Sequence, residues 1–256
     1  MTYIPATMPA TSLTQPAVPE AGADAWGPGP LRPRLAEGVV HVWRADLAAV
    51  TDDLIELLSP EERARAERFL KARDGELWAR AHGVLRLLVG RYLDAEPRRL
   101  RFAIGEHGKP ALVDDSAGER ARAGPATGTL RGLSFNLSHS EHVVLCAFTQ
   151  IGPIGVDVEI ARRPIDEVAV AARAFGPAVA RRLEGLDGAN RKREFLRAWT
   201  RHEAELKCRG IGIGGGAAGI AGSDMWIGKL DIGPQGTGAV AVKQAPRELC
   251  CWDLRV

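Results

Sequence analysis

The sequence predicts an α+β protein built as a pseudo-twofold duplication of two similar α+β halves, and three observations predict it. Short alternating strand patterns lie on both sides of helix-length amphipathic stretches. Each half carries a proline-started helix followed by a helix with a central tryptophan, Trp78 in the first half and Trp199 in the second. The length of 256 residues also suits two units of about 100 to 120 residues.

Residues 1–34 hold 7 of the 16 prolines, with Ala, Thr and Gly between them. They offer little apolar surface and read as a Pro/Ala-rich disordered tail. The N-terminal half is assigned to 35–152 and the C-terminal half to 153–256. The first half opens on an alternating strand, VVHVWRADL. Ser59-Pro60-Glu61-Glu62 is a capping box with proline at the first helical position. Leu77, Ala81, Val84, Leu88 and Tyr92 recur at spacings of four and three, so a helix is expected over 76–93. Leu100, Phe102 and Ile104 alternate as a strand before a turn at Gly108-Lys109-Pro110. Residues 114–131 read as a polar surface loop. FNLSHS (135–140) and VVLCAF (143–148) give two more strands. The second half restates this order with the strand IGVDVEI (154–160), a helix opening near Gly176-Pro177 and a longer helix from about Glu194 to Lys207. Strands near 226–232, 238–243 and 249–254 complete it.

Composition excludes several functions. Thirty-four basic side chains nearly cancel 32 acidic ones, so no uniform positive field exists for nucleic acid or an anionic membrane, and any phosphate site must be local. No run of 18 apolar residues and no apolar leader core are present, so a cytoplasmic protein without a membrane anchor is expected. Cys146, Cys208, Cys250 and Cys251 have no metal-ligand spacing and read as reduced thiols.

Three segments carry chemistry. In IGVDVEI, period two places Asp157 and Glu159 on one face, opposite Ile154, Val156, Val158 and Ile160. Such a pair is either the solvated acidic face of an edge strand or a pair of ligands for Mg²⁺. On the long helix, Glu203 and Lys207 are spaced i, i+4, which fits an exposed ion pair or a pair of working groups. The chain has 28 Arg and only 6 Lys, so a lysine here favours the second reading, because an ammonium is a compact charge that can approach a phosphate. FNLSHS places Ser138, His139 and Ser140 at a strand end, as a plain turn or as donors for a phosphate. Ser138 and His139 point to opposite faces and make a poor nucleophile–base pair. Lys109 sits at a stiffened turn, and the glycine run 210–216 follows a helix and so is no dinucleotide fingerprint.

Taken in order, GKPAL (108–112), FNLSHS, GVDVE (155–159) and FLRAWTRHEAELKCRGIGI (195–213) resemble the Sfp-type 4'-phosphopantetheinyl transferases over about residues 38–254. The resemblance implies a monomer of two pseudo-twofold halves with coenzyme A and Mg²⁺ or Mn²⁺ in the cleft between them. It implies transfer of 4'-phosphopantetheine from coenzyme A to a serine of an apo acyl or peptidyl carrier protein, releasing adenosine 3',5'-bisphosphate. Asp157, Glu159 and Glu203 fall on the family's metal-binding acids, Glu203 also on its general base, and Lys207 on the lysine that meets the diphosphate. Lys109, Pro110, Ser138 and His139 fall on coenzyme A contacts, and Arg73 on a basic contact of the 3'-phosphate. The chain departs from the family at His202, commonly a lysine, and at Glu62, where some relatives carry a basic phosphate contact and where the capping box gives glutamate a structural task. A noncatalytic module that binds coenzyme A or a carrier protein is the alternative from another class. A Mg²⁺-dependent phosphohydrolase would use the acids but leave SHS and GKP without a task.

Overall fold

The structure, a computed structural model, describes residues 26–105, 108–113, 132–161, 164–211, 224–234 and 236–255. The loop expected at 114–131, most of the glycine run and residues 1–25 of the expected tail lie outside them.

The first half runs β2 (Val39–Asp46), α1 (Pro60–Glu67), α2 (Ala72–Leu93), the short hairpin β3 (Phe102–Ile104) and β4 (Pro110–Leu112), then β5 (Ser134–Ser140) and β6 (Val143–Thr149). The second runs β7 (Ile154–Ile160), α3 (Glu167–Phe175), α4 (Pro177–Glu184), α5 (Gly188–Arg209), β8 (Trp226–Asp231), β9 (Gly236–Val242) and β10 (Glu248–Asp253). The duplication is visible in the strand order. In one half β6 lies between β2 and β5, and in the other β9 lies between β7 and β8, all antiparallel. Each half also carries one helix of 22 residues, α2 and α5.

Local chemistry sets these elements. The expected capping box at α1 is present: Glu62 N–H donates to Ser59 Oγ at 3.3 Å and Ser59 N–H to Glu62 Oε2 at 2.9 Å. The Glu62 carboxylate has a second task, accepting from Nε of the fully buried Arg86 at 2.7 Å. Arg86 in turn donates to the Pro97 and Leu100 carbonyls. Helix α5 starts six residues before the expected Glu194. Its first turns, GANRKR, carry no apolar period, but Asp187 caps the Asn190 N–H.

The molecule is layered. Helix α2 packs Ala81, Val84, Leu85 and Leu88 on Trp43, Phe135, Cys146 and Phe148 of the first sheet. The other face of that sheet presents Val40, Val42, Leu145 and Ala147 to Ile154, Val156, Val158 and Val240 of the second. Helix α5 then covers the far side of the second sheet through Ala204 and Cys208 against Ala239 and Ala241. Period two makes this possible, because alternate residues of one strand feed different layers.

Two features cross the boundary expected after residue 152. Strand β10 leaves the second half and pairs in parallel with β2, and β1 (Gly27–Pro28) pairs in parallel with β10. The expectation of a tail as far as residue 34 is therefore corrected for 26–34. Trp26 Nε1 donates to the Asp231 carbonyl at 2.7 Å, its ring lies under the Arg44 guanidinium, and Pro33 is buried. One tryptophan in a proline-rich stretch has no periodicity to reveal that it docks.

Candidate active site

The site forms where β5 of the first sheet meets β7 of the second, beneath α5. Gly155 sets the closeness of α5: a Cβ there would stand 2.0 Å from the Ala204 carbonyl oxygen and 2.4 Å from the Cys208 nitrogen. Without a side chain, β7 passes directly under the last turns of α5, and Lys207 reaches Asp157.

Lys207 Nζ donates to Asp157 Oδ1 at 2.6 Å and to Ser138 Oγ at 2.9 Å, and Ser138 Oγ donates to Asp157 Oδ1 at 2.9 Å. Among the described residues no ion pair joins Lys207 to Glu203, so the i, i+4 surface-pair reading does not describe this lysine. Asp157 and Glu203 are buried. Asp157 Oδ2 and Glu203 Oε1 are enclosed with no hydrogen-bond partner among the described residues, an arrangement that is costly unless something cationic or protic satisfies it. Glu159 accepts from Ser140 Oγ at 3.1 Å.

The three carboxyls feel one another. Burial, then the neighbouring Asp157, pushes Glu159 up to about 6. Burial and Asp157 raise Glu203 as well. Burial raises Asp157, against the opposing charge and hydrogen bond of Lys207. Acids raised together in one cleft are the electrostatic mark of a functional site. Among the described residues no three His, Cys, Asp or Glu side chains are already drawn into a coordination sphere.

The remaining expected contacts lie on β5, on the β3–β4 hairpin and at the start of α2. His139 leaves β5 on the face opposite Ser138, as period two requires. Burial, His82 and Lys207 hold it below the ordinary histidine range. Lys109 Nζ donates to the Ile154 and Lys207 carbonyls at 3.1 and 3.0 Å, which ties the β3–β4 hairpin to the C-terminal end of α5. Pro110 is buried at the start of β4, opposite Ile104. Arg73, at the start of α2, pairs with Glu141 at 3.0 Å. Asn136 was not singled out by sequence reading, and Ser140, read there as a possible phosphate donor at the strand end, instead bonds Glu159. The available signal was the polar face Asn136, Ser138, Ser140 of an otherwise buried strand.

A sequence profile of the 4'-phosphopantetheinyl transferase superfamily matches residues 153–251, and a profile of the 4'-phosphopantetheinyl transferase N-terminal region matches 42–150. The 4'-phosphopantetheinyl transferase HetI of Nostoc sp. is 36% identical over 191 residues, 73% of this chain and 76% of HetI. The chain belongs to the 4'-phosphopantetheinyl transferase superfamily. Among other relatives, slr0495 of Synechocystis sp. is 38% identical over 62% of this chain and 60% of its own. The 4'-phosphopantetheinyl transferase Sfp of Bacillus subtilis is 28% identical over 61% of this chain and 62% of its own. The transferase is therefore an enzyme that moves 4'-phosphopantetheine from coenzyme A to a carrier protein, and its two profile matches meet near the junction of β6 and β7.

Proposed function

We propose that this transferase carries its reaction at the β5–β7–α5 junction, with Asp157, Glu159 and Glu203 holding a divalent cation, Mg²⁺ or Mn²⁺. The observation that carries the reading is the pair of enclosed, unpartnered carboxylate oxygens, Asp157 Oδ2 and Glu203 Oε1. Hard oxygen donors of this kind suit Mg²⁺. When bound, the cation supplies positive charge for a diphosphate that would otherwise repel an incoming nucleophile.

The chain's own groups do the rest. Lys207, already within hydrogen-bond distance of Ser138 and Asp157, meets the diphosphate and stabilises charge on the departing phosphate. Ser138 adds a donor from the strand end. Glu203 takes the proton of the attacking serine, directly or through a water, a task favoured by a carboxyl whose basicity burial has raised. Lys109 and Pro110 hold the hairpin wall against α5, and His139 faces the phosphate-bearing end of coenzyme A together with Arg73. Beside Glu159 a cleft of about 430 Å³ is lined by Ile165, Val170, Phe195, Leu196 and Trp199, an apolar wall suited to a pantetheine arm. A separate cleft of about 580 Å³ brings Arg65, Arg68, Arg98 and Trp78 together beside Glu61 and Glu62 and offers the 3'-phosphate an alternative seat.

The test is intact mass spectrometry of an apo carrier protein incubated with the enzyme, coenzyme A and Mg²⁺. The expected result is a gain of one phosphopantetheine group on the carrier, lost with EDTA and in Asp157→Asn and Glu203→Gln. Coenzyme A binding without a mass gain would leave a binding module, and turnover unchanged by the two substitutions would remove the site assignment.

A further inference from the structure

Among the described residues strand β7 is an edge strand. It pairs with β9 on one side only, and its outward N–H groups at 156, 158 and 160 face β5 of the other sheet without a main-chain partner strand. Buried N–H groups need acceptors. Here side chains of β5 supply two of them: Val156 N–H donates to Asn136 Oδ1 at 2.9 Å and Ile160 N–H to Ser140 Oγ at 3.1 Å. Asn136 and Ser140 are four apart on β5, as Val156 and Ile160 are on β7, so these two side chains, with Ser138 between them, form a side-chain ladder in place of a strand. The same ladder fixes the acids. Ser138 bonds Asp157, and the hydroxyl of Ser140, which accepts from Ile160, donates its own hydrogen to Glu159 Oε2.

Among the described residues Ser140 is the hydrogen-bonding partner of Glu159, whose cleft is lined mostly by apolar side chains, Ile165, Val170, Phe195 and Trp199 among them, with Lys192 and Glu141 as its other charged groups. A flexible glutamate beside apolar walls has several rotamers, and one directed donor selects among them. We propose that Ser140 is a positioning residue, which receives the Ile160 N–H and thereby aims its own O–H to hold Glu159 at the cation site, with Asn136 fixing the register of the same ladder four residues earlier. This rests on the carboxylate site proposed above and extends it to the groups behind the ligands, where loss of an orienting partner typically lowers metal affinity about 10- to 100-fold.

The test is Mn²⁺ binding to the full-length protein, followed by electron paramagnetic resonance without coenzyme A or carrier, on wild type, Ser140→Ala, Ser140→Thr and Asp157→Asn. Ser140→Ala is expected to weaken Mn²⁺ binding about tenfold and to raise the Mg²⁺ concentration for half-maximal transfer similarly, with the KM for coenzyme A unchanged. Ser140→Thr, which keeps a hydroxyl on the strand, should bind as wild type does. Wild-type Mn²⁺ affinity in Ser140→Ala, or equal loss in the alanine and threonine variants, would overturn the positioning role. Binding that Asp157→Asn fails to weaken would overturn the carboxylate site itself, and with it this inference.

Discussion

At the scale of single residues, Lys207 is where two explanations of one lysine separate. As an exposed helix pair it would have been interchangeable with arginine. Instead its ammonium lies between a buried carboxylate and a hydroxyl, at 2.6 and 2.9 Å, a space that admits a compact charge better than a planar fork. Lys207→Arg should lose much of the turnover, and Lys207→Ala should lose on the order of 10² or more, the usual cost of removing one donor to a developing charge. Lys207→Ala also leaves Asp157 without its cation and should cost roughly 1–3 kcal/mol of stability. Transfer rates and urea denaturation on both variants check this, and wild-type rates in both would exclude the catalytic role. Glu159 gives a second expectation at this scale. Its folded pKa of about 6 lies above the ordinary 4.5, so folded protein takes up a proton before the unfolded chain does. The penalty for burying its charge is absent below about pH 4.5 and complete above about pH 6, so this group's contribution to stability falls as pH rises through that window. Glu159→Gln cannot titrate. Without divalent cations, the melting temperature of wild type relative to Glu159→Gln should therefore drop between pH 4.5 and 7.5, and a pH-independent difference would count against it.

At the scale of elements, the decisive contact is α5 on β7, and one glycine sets it. A Cβ at Gly155 would overlap the α5 backbone at Ala204 and Cys208, atoms that cannot rotate away. Gly155→Ala should therefore push the helix off the strand, costing at least ~1–3 kcal/mol and most of the transfer rate, because Lys207 and Asp157 separate together. Gly188→Ala is the matched control at the start of the same helix, where a Cβ meets nothing within 4 Å and stability should hold or rise slightly. Urea denaturation and transfer rates for the pair decide it. Elements were also the most legible level of the sequence. The capping box at Ser59, the proline start at Pro177 and the spacing from Leu77 to Tyr92 each state a local rule, and α1, α4 and α2 obey them. The start of α5 was not legible, because GANRKR has no apolar face and its signal is a single capping aspartate. The acids were legible as a pair on one strand face, while their meeting with Lys207 and Ser138 was carried by the four-motif resemblance rather than by spacing. The ladder of Asn136 and Ser140 depends on which strand lies beside β7, which no local pattern encodes.

At the scale of the whole molecule, the two halves are joined by more than their shared core, and the chain's ends provide the joint. The sequence suggested a second half that closes on its own strands, since 249–254 alternates as well as its neighbours do. Strand β10 instead crosses to β2, because a parallel partner is specified by the sheet edge available in three dimensions and not by anything within six residues. Residues 26–29 then fasten that crossing. Gly27 and Pro28 pair with Trp252 and Asp253, Gly29 N–H donates to the Asp253 carbonyl at 3.2 Å, and Trp26 bridges to the Asp231 carbonyl at the end of β8. Arg44 completes the joint with Nε 2.7 Å from Asp253 and its guanidinium 4.4 Å from the centre of the Trp26 ring. Removing this segment exposes the edge of β10 and the apolar surface under Trp26, whereas removing only the residues before it breaks none of these contacts. A truncation that begins at residue 26 should therefore melt as the full chain does, and one that begins at residue 35 should melt roughly 5 °C lower, since about 2 kcal/mol shifts a domain of this size by that order. Transfer activity should follow the same division when measured near the lower melting temperature, because loosening β10 frees β2 and, through β6, the strand that carries Ser138 and Ser140. Equal melting temperatures for the two truncations would mean that Trp26 and its strand rest on the sheet without holding it.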